Sequence, residues 1–263
     1  MKKIANLALI LTVVCAGTVS AQLKIGGKNI NLNKVIQAGT EVATAATLSD
    51  EDIASLSREA VEYMDANNPV ADESSEYGAR LKRLTKGLDS YDGLALNFKV
   101  YEVTDVNAFA CGDGSIRVFA GLMDLMTDDE IMAVVGHEIG HVKHADTREA
   151  MKNAYLASAA RNALGAVDGS KLAALTESQW ADLAVAFTDA KFSRTQEFAA
   201  DDYAFDFCVA TDRDPYAMAK ALDKLVELSN GEQASLVAKM FSSHPDSEAR
   251  AARVREKAAA IQE

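Results

Sequence analysis

Residues 127–146 read T-D-D-E-I-M-A-V-V-G-H-E-I-G-H-V-K-H-A-D, and this stretch predicts a helix around which the rest of the chain is built. Thr127 and Glu130 form a T-x-x-E capping box, and the acidic residues of the first turn favour the positive end of the helix dipole. Helical spacing then gives one apolar face, made of Ile131, Val135, Ile139 and Val142. Another face carries His137, His141 and His144, and Glu138 lies between the two faces.

The pattern H-E-x-x-H inside this helix indicates a zinc hydrolase. His137 and His141 are one turn apart and can reach one ion together, whereas Glu138 can reach a water on that ion but is poorly placed to ligate it. The alternative is a chance match, expected on the order of once in a hundred chains with so few histidines. His144 lies roughly 10 Å along the axis from His137, too far to share the ion, and is expected on the surface or behind a ligand.

Length and composition favour one helix-rich domain. The chain has 263 residues, of which 49% are hydrophobic and only three are Pro, so it can bury a sizeable core and favours helix over sheet. We therefore expect a mainly α (α+β) fold with a small sheet before the motif helix. The formal net charge of −12 argues against nucleic acid or anionic lipid as the main partner.

The first 21 residues resemble a secretory signal peptide, with a basic start, an apolar core and the small-residue cleavage site Val19-Ser20-Ala21. The apolar core is shorter than the ~20 residues that span a bilayer. The sequence therefore predicts an exported, periplasmic protein without a transmembrane span after processing, in which residues 22–46 form a flexible segment and residues 47–263 the folded domain. Lipid attachment at Cys15 is the less favoured alternative, because Val14 is not the small residue such processing prefers.

Cleavage after Ala21 would leave two cysteines, Cys111 and Cys208. In an oxidising compartment they could form a disulfide, but two thiols could equally lie buried in the core. The spacing leaves both possibilities open.

Periodicity also places the other elements along the chain. Alternation predicts a strand from Leu94 to Tyr101, and a second strand covers Ser115 to Ala120. This sheet would either pack beneath the motif helix or offer an edge to an extended peptide. Further helices are predicted near residues 49–67, 72–88, 147–164, 170–190, 215–229 and 245–262.

A catalytic zinc site needs a third protein ligand, and S-R-T-Q-E-F-A-A-D at residues 193–201 offers one. Glu197 and Asp201 share one helical face. Glu197 could ligate the ion, and Asp201 could accept a hydrogen bond from the non-ligating nitrogen of a zinc histidine. A solvated acidic face is the alternative, and the H-E-x-x-H motif elsewhere in the chain favours the ligand interpretation.

Four motifs in one order resemble family forty-eight of the zinc metallopeptidases, which includes HtpX and the CAAX prenyl protease. Besides H-E-I-G-H and S-R-T-Q-E-F-A-A-D, they are N-A-F-A-C-G-D-G-S-I-R-V-F-A-G-L-M at residues 107–123 and S-H-P-D-S-E-A-R at 243–250. The resemblance covers about residues 48–258 and implies a gluzincin-like helical core. The family's transmembrane helices are missing, so the chain is similar to the soluble exported branch, some of whose members are outer-membrane lipoproteins.

The resemblance implies one zinc ion held by His137, His141 and Glu197. It also implies Glu138 as the catalytic acid and base, and Asp201 as a partner behind a zinc histidine.

The S-H-P segment and the N-A-F strand complete the site by resemblance. His244 is a candidate donor to the oxyanion, and the competing role is that its imidazole fills zinc's fourth position and holds the enzyme inactive. Arg250 would anchor this segment or pair near Asp201. The alternatives are that His244 only stands at the start of a helix and that Arg250 only forms a surface ion pair. The rim that binds an extended substrate would be formed by Asn107, Ala108, Phe109 and Ala110.

These features predict a zinc metalloendopeptidase that cuts exposed, flexible polypeptide segments. The resemblance to the family implies that its substrates are unfolded or misfolded exported proteins, a role suited to protein quality control. The alternative is a zinc-containing, chaperone-like or peptide-binding module with little or no proteolysis. Prenyl-protein processing is disfavoured because this chain cannot build an intramembrane chamber. An aminopeptidase would need an acidic pocket for the substrate amine, and the sequence identifies none.

Overall fold

The computed structural model describes residues 22–25, 28–31, 48–162 and 175–261. Its strands are β1 Gln22–Ile25, β2 Lys28–Asn31, β3 Ser90–Tyr91, β4 Leu94–Ala95, β5 Asn97–Tyr101, β6 Ala108–Ala110 and β7 Ser115–Phe119. Its helices are α1 Asp50–Asn67, α2 Glu76–Leu84, α3 Ala120–Leu125, α4 Asp128–Lys143, α5 Asp146–Asn162, α6 Glu177–Thr188, α7 Arg194–Ala210, α8 Ala217–Ser229, α9 Ala234–Ser243 and α10 Ser247–Ala260. This composition confirms the predicted mainly α (α+β) class.

The three-stranded sheet has the order β5-β7-β6. β5 runs parallel to the central β7, and β6 runs antiparallel to it, with Ala108 opposite Val118 and Ala110 opposite Ile116. β6 is therefore an edge strand, and it packs beside α4. The small strands β1–β2 and β3–β4 form separate antiparallel pairs.

Helix α4 lies at the centre of the domain. It packs against α7 in the most extensive helix contact of the described chain, and also against α8, β6 and α5. All of its residues from Glu130 to Val142 are buried. The predicted single apolar face was therefore incomplete, because the motif face is covered by other helices rather than by solvent.

Two apolar clusters form the core. The larger joins the sheet to α4, α7, α8, α9 and α10, and the smaller lies among α1, α5 and α6.

A polar contact connects α1 to the sheet. Arg117 of β7 is 1% exposed and donates to both carboxylate oxygens of Asp65, at 2.8 and 3.0 Å. The Tyr101 hydroxyl donates to the same carboxylate at 2.8 Å.

A helix is present in each of the predicted ranges, although several of the helix ends differ from the prediction. The helix expected near 72–88 begins only at Glu76, because Asp72 makes a turn with Ser74 and Ser75 caps the helix by accepting from the Gly78 amide. Helices α3 and α9 were not anticipated. Cys111 and Cys208 are both buried and free, so they do not form the disulfide that the sequence left open.

Some predictions fall partly or wholly on residues that the structure does not describe. The signal peptide of residues 1–21, Cys15 and the adjoining ends of the helices predicted near 147–164 and 170–190 lie outside the described ranges. Of the segment 22–46, the described part is the β1–β2 pair. Within the described residues, no helix has the length and apolarity to cross a membrane.

Candidate active site

The local structure of α4 fixes the first two candidate ligands. Thr127 and Glu130 form the predicted capping box, and the helix continues without a break to Lys143. His137 and His141 stand one turn apart, with their Nε2 atoms 3.1 Å from each other. Two ring nitrogens so close together, both buried, are the arrangement expected of ligands to a shared cation.

A close crossing of α4 and α7 delivers the third candidate. Gly136 and Gly140 face α7, where an added Cβ at Gly140 would lie 3.0 Å from Tyr203 Cβ and 3.1 Å from Ala200 Cα. The absence of side chains at these glycines lets the two helices approach until Glu197, in the first turn of α7, reaches the histidines. Glu197 Oε1 is 3.4 Å from His141 Nε2.

Four donor atoms converge at one point. His137, His141, Glu197 and His244 are all buried, and their ligand atoms lie within 4.8 Å of one another. His244 Nδ1 is 3.0 Å from Glu197 Oε1 and 3.4 Å from His137 Nε2. Ligand atoms about 2.0–2.1 Å from a tetrahedral zinc ion lie about 3.3–3.4 Å apart, so these separations fit zinc.

Glu138 occupies a different position from the four donors. Its Oε1 atom is buried without a hydrogen-bond partner and is 3.8 Å from His244 Nε2. An unpaired buried carboxylate oxygen is costly and calls for a partner from outside the protein chain, such as water or substrate. The carboxylate faces the cleft between β6 and His244.

Each α4 histidine has a carboxylate behind it. Asp201 Oδ1 is 3.0 Å from His137 Nδ1, and Asp146 Oδ2 is 2.9 Å from His141 Nδ1. Contacts of this kind orient an imidazole so that Nε2 faces the metal. The sequence analysis anticipated Asp201 but missed Asp146. A signal was available, since Asp146 follows His141 by five residues, but only the turn after α4 brings the two together.

Arg250 joins the outer contacts into one network. It donates to both oxygens of Asp201, at 2.8 and 2.7 Å, and forms an ion pair with Glu197. With three buried charges in contact, each desolvated group has an opposite charge beside it. The structure thus brings Arg250 to Asp201, one of the two positions considered for it.

The network sets the charge of the carboxylates. Burial by itself would raise the pKa of Glu197, but the charge of His244 and the hydrogen bond from His141 outweigh burial and hold this pKa well below its ordinary value. Burial also opposes ionisation of Asp201, and the hydrogen bonds from Arg250 reverse that effect and lower its pKa. Both groups are therefore carboxylates at neutral pH, as a cation site requires.

The two histidines differ in their electrostatic surroundings. Burial lowers the pKa of His137 and favours the neutral imidazole that binds metals. For His141, burial acts in the same direction, but hydrogen bonds with Asp146 and Glu197 raise its pKa to about 9. Metal binding at neutral pH would therefore release a proton from this site.

The predicted substrate rim is covered by another part of the chain. Asn107, Ala108 and Ala110 are buried, and residues 187–192 lie against them. The Phe187 and Phe109 rings are 6.4 Å apart, edge to face. A cavity of only about 20 Å³ remains between this cover and Glu138.

The covering segment also contacts the donor cluster. The Phe192 ring stacks on His141 with a centroid distance of 4.0 Å, and its amide donates to the Ser243 carbonyl at 3.1 Å. Sequence reasoning missed Phe192, because an isolated aromatic residue between helices has no recognisable spacing. His144 caps the C-terminal end of α4 and is exposed, outside the donor cluster, as expected.

Comparison with known proteins identifies the family. Residues 79–258 match the sequence pattern described as Peptidase family M48. The chain belongs to this family. It is 39% identical over 244 residues to "Metalloprotease YcaL" of Escherichia coli, covering 91% of this chain and 94% of the relative. To "Metalloprotease LoiP" of the same organism it is 37% identical over 241 residues, with 91% and 94% covered.

A more distant relative extends the comparison to the HtpX group. The chain is 32% identical over 185 residues to "Protease HtpX homolog" of Pyrococcus abyssi, covering 57% of this chain and 63% of the relative. Membership of family M48 confirms the resemblance read from the four motifs. The protein is a zinc-dependent metalloendopeptidase, and its substrates are polypeptides.

Proposed function

We propose that this family M48 enzyme cleaves extended segments of unfolded or misfolded exported proteins, with Glu138 as general base. The observation that supports this role is the unpaired Oε1 atom of Glu138, buried at the cleft and beside the donor cluster. Glu138 would accept a proton from the attacking water and pass it to the leaving amine. A carboxylate buried at the cleft with one oxygen unpaired is placed to move a proton in this way.

His137, His141 and Glu197 are the residues that would hold zinc. When bound, zinc would act as a Lewis acid that activates water and polarises the scissile carbonyl. Asp201 and Arg250 hold the ligands from behind: Asp201 orients the imidazole of His137, while Arg250 neutralises charge on Asp201 and Glu197.

His244 has two proposed roles, and its position favours one of them in this conformation. Its Nδ1 atom lies among the other donors, where it completes a set of four. A zinc site with four protein ligands lacks the open position that catalysis requires. We infer that His244 holds the enzyme inactive here and that, once displaced, its imidazole is free to donate a hydrogen bond to the oxyanion.

The edge of β6 is the proposed substrate-binding rim. Its free side faces the cleft, so an extended peptide added there would pass Glu138 with its main chain hydrogen-bonded to the strand. Residues 187–192 occupy that space in the present conformation, and peptide binding therefore requires them to move aside. Segments that are already unfolded can adopt the extended form without first losing tertiary structure, so their binding costs only the conformational entropy of ordering the chain.

We also propose that the chain is exported to the periplasm by the signal peptide of residues 1–21, leaving residues 47–263 as the metallopeptidase domain behind the segment 22–46. Association with the outer membrane through a lipid on Cys15 is the less favoured alternative. Action on misfolded exported proteins would make this a quality-control protease.

Casein digestion tests the proposed activity directly. Purified mature protein, loaded with zinc, is compared with Glu138→Gln, with a chelator-treated sample and with Glu149→Gln, an exposed carboxylate on α5 as the matched control. Cleavage should persist in the control and disappear in the other two, while Glu138→Gln still binds zinc. Cleavage that survives in Glu138→Gln would contradict the assignment of the general base.

His244→Ala separates the two roles of that residue. If wild type is nearly silent and His244→Ala cleaves faster, the inhibitory role is supported. If wild type cleaves and the variant is slower, the oxyanion role is supported. Should both zinc-loaded proteins bind casein without cutting it, the peptide-binding module becomes the better description.

A further inference from the structure

We propose that Asp146 and Gln196 are positioning residues that fix the distance between His141 and Glu197. Asp146, the first residue of α5, is 6% exposed, and its two carboxylate oxygens have different partners. Oδ2 receives a hydrogen bond from His141 Nδ1, and Oδ1 receives one from Gln196 Nε2, each at 2.9 Å. One side chain therefore contacts both helices that carry the candidate zinc ligands.

Gln196 connects this carboxylate to the start of α7. Its Oε1 atom accepts from the amide and the hydroxyl of Ser193, both at 2.9 Å, as part of the helix capping box. Glu197 is the next residue. A continuous path of hydrogen bonds thus runs from the N-terminus of α7, through Gln196 and Asp146, to the ring of His141.

The turn between α4 and α5 is what aims Asp146 at His141. Ala145 has a φ of 62°, in the left-handed region that residues with a side chain seldom adopt. This conformation reverses the chain directly after α4. The side chain of Asp146, the first of α5, therefore lies beside His141 in the last turn of α4. A strained residue at this position is consistent with a turn held in place by the contacts around it.

The hydrogen bond also sets which nitrogen of the neutral His141 ring is free to bind a metal. With Nδ1–H donating to Asp146, the lone pair of the neutral ring lies on Nε2, which points into the donor cluster. The contact behind His137 differs, because Asp201 is held by the charged Arg250. The path through Gln196 depends on a neutral amide, and its removal leaves Asp146 with the hydrogen bond to His141.

This inference concerns the same site as the proposed function, but zinc binding tests it whether or not casein is cleaved. The zinc dissociation constant of the full mature protein is measured by competition with a chromophoric chelator. We expect Asp146→Ala to raise it by about 10–100-fold. Gln196→Ala should raise it by a smaller factor, and Asp146→Asn, which keeps an acceptor for His141, should recover most of the lost affinity.

Two matched controls isolate the path from its surroundings. Gln179→Ala removes the corresponding glutamine from the capping box of α6, where it contacts Thr176 and not the donor cluster. Glu149→Ala removes an acidic residue from the same first turn of α5. Both should leave zinc affinity unchanged.

The double variant and cobalt spectra distinguish positioning from a general loss of stability. Because the effect of Gln196 passes through Asp146, Asp146→Ala/Gln196→Ala should bind zinc no more weakly than Asp146→Ala alone. The visible absorption of the cobalt-substituted protein should shift in Asp146→Ala and not in Gln179→Ala. Unchanged zinc affinity in Asp146→Ala, or effects that simply multiply in the double variant, would overturn the proposal.

Discussion

Replacing Gly140 with Ala tests whether close packing of α4 on α7 holds the site together. The new Cβ would lie 3.0 Å from Tyr203 Cβ, 3.1 Å from Ala200 Cα and 3.2 Å from the Ala200 carbonyl oxygen. Two of these are backbone atoms, so α7 has to move by a few tenths of an ångström, since no flexible side chain can swing away. Glu197 lies about one turn before Ala200 on α7 and would move with this helix.

Two opposing effects determine the magnitude. Ala in a helix interior is favoured over Gly by up to about 1 kcal/mol. Overpacking a tight contact costs about 1–3 kcal/mol. We therefore expect Gly140→Ala to lower the free energy of unfolding by about 1 kcal/mol, which is a decrease of about 2–4 °C in Tm for a chain of this size. Zinc affinity should fall as well, because a shift of a few tenths of an ångström takes up much of the tolerance of about 0.5 Å within which ligand positions must hold.

Thermal unfolding and chelator competition measure both effects. Gly231→Ala is the control, because its Cβ would meet nothing closer than 3.6 Å. The free energy of unfolding of Gly231→Ala should be unchanged or higher by about 0.4–1 kcal/mol, because Ala has fewer accessible conformations than Gly in the unfolded chain. If Gly140→Ala were as stable as Gly231→Ala and bound zinc as tightly as wild type, the close crossing could not be what positions Glu197.

Three further predictions follow from contacts elsewhere. Burial opposes ionisation of Asp65, but the hydrogen bonds from Arg117 outweigh burial and lower the Asp65 pKa. The pair therefore stabilises the protein fully above about pH 4, and this stabilisation is lost as the pH falls through the lowered pKa. Asp65→Asn should therefore lower stability at pH 7 by about 3 kcal/mol, with a smaller difference at pH 3, measured by urea unfolding. Lys239 Nζ donates to the Thr188 hydroxyl at 2.9 Å, so Lys239→Ala should loosen the cover of the cleft and reduce KM for casein. The free energy of unfolding should change by less than about 1 kcal/mol. The control Lys82→Ala, which removes an exposed ion pair with Glu73, should not reduce KM. Chelation should lower Tm, and zinc but not magnesium should restore it, because imidazole ligands suit zinc and magnesium prefers oxygen.

Much of the site could be predicted because its parts are local. The spacing of His137, Glu138 and His141 follows from 3.6 residues per turn, and that of Glu197 and Asp201 follows from the same period on another helix. Capping boxes are equally local, which is why the starts of α1 and α4 agree with prediction.

Where local signals were weak or in competition, the prediction was less accurate. Ser75 and Asp72 both resemble helix starts, and only the structure distinguishes the turn from the cap. Helix α9 has no side-chain hydrogen bond at its N-cap and was missed, although His244 is its C-cap residue and lies among the donors.

The sequence by itself determined the candidate zinc ligands and the candidate carboxylate for proton transfer, because helical period and side-chain chemistry are properties of short segments. Only the tertiary structure decided that His244 completes the donor set, that Asp146 contacts His141 and that residues 187–192 cover the rim. The physical reason is that these contacts depend on how closely α4, α7 and α9 approach, and that distance is set by packing among segments far apart in the chain.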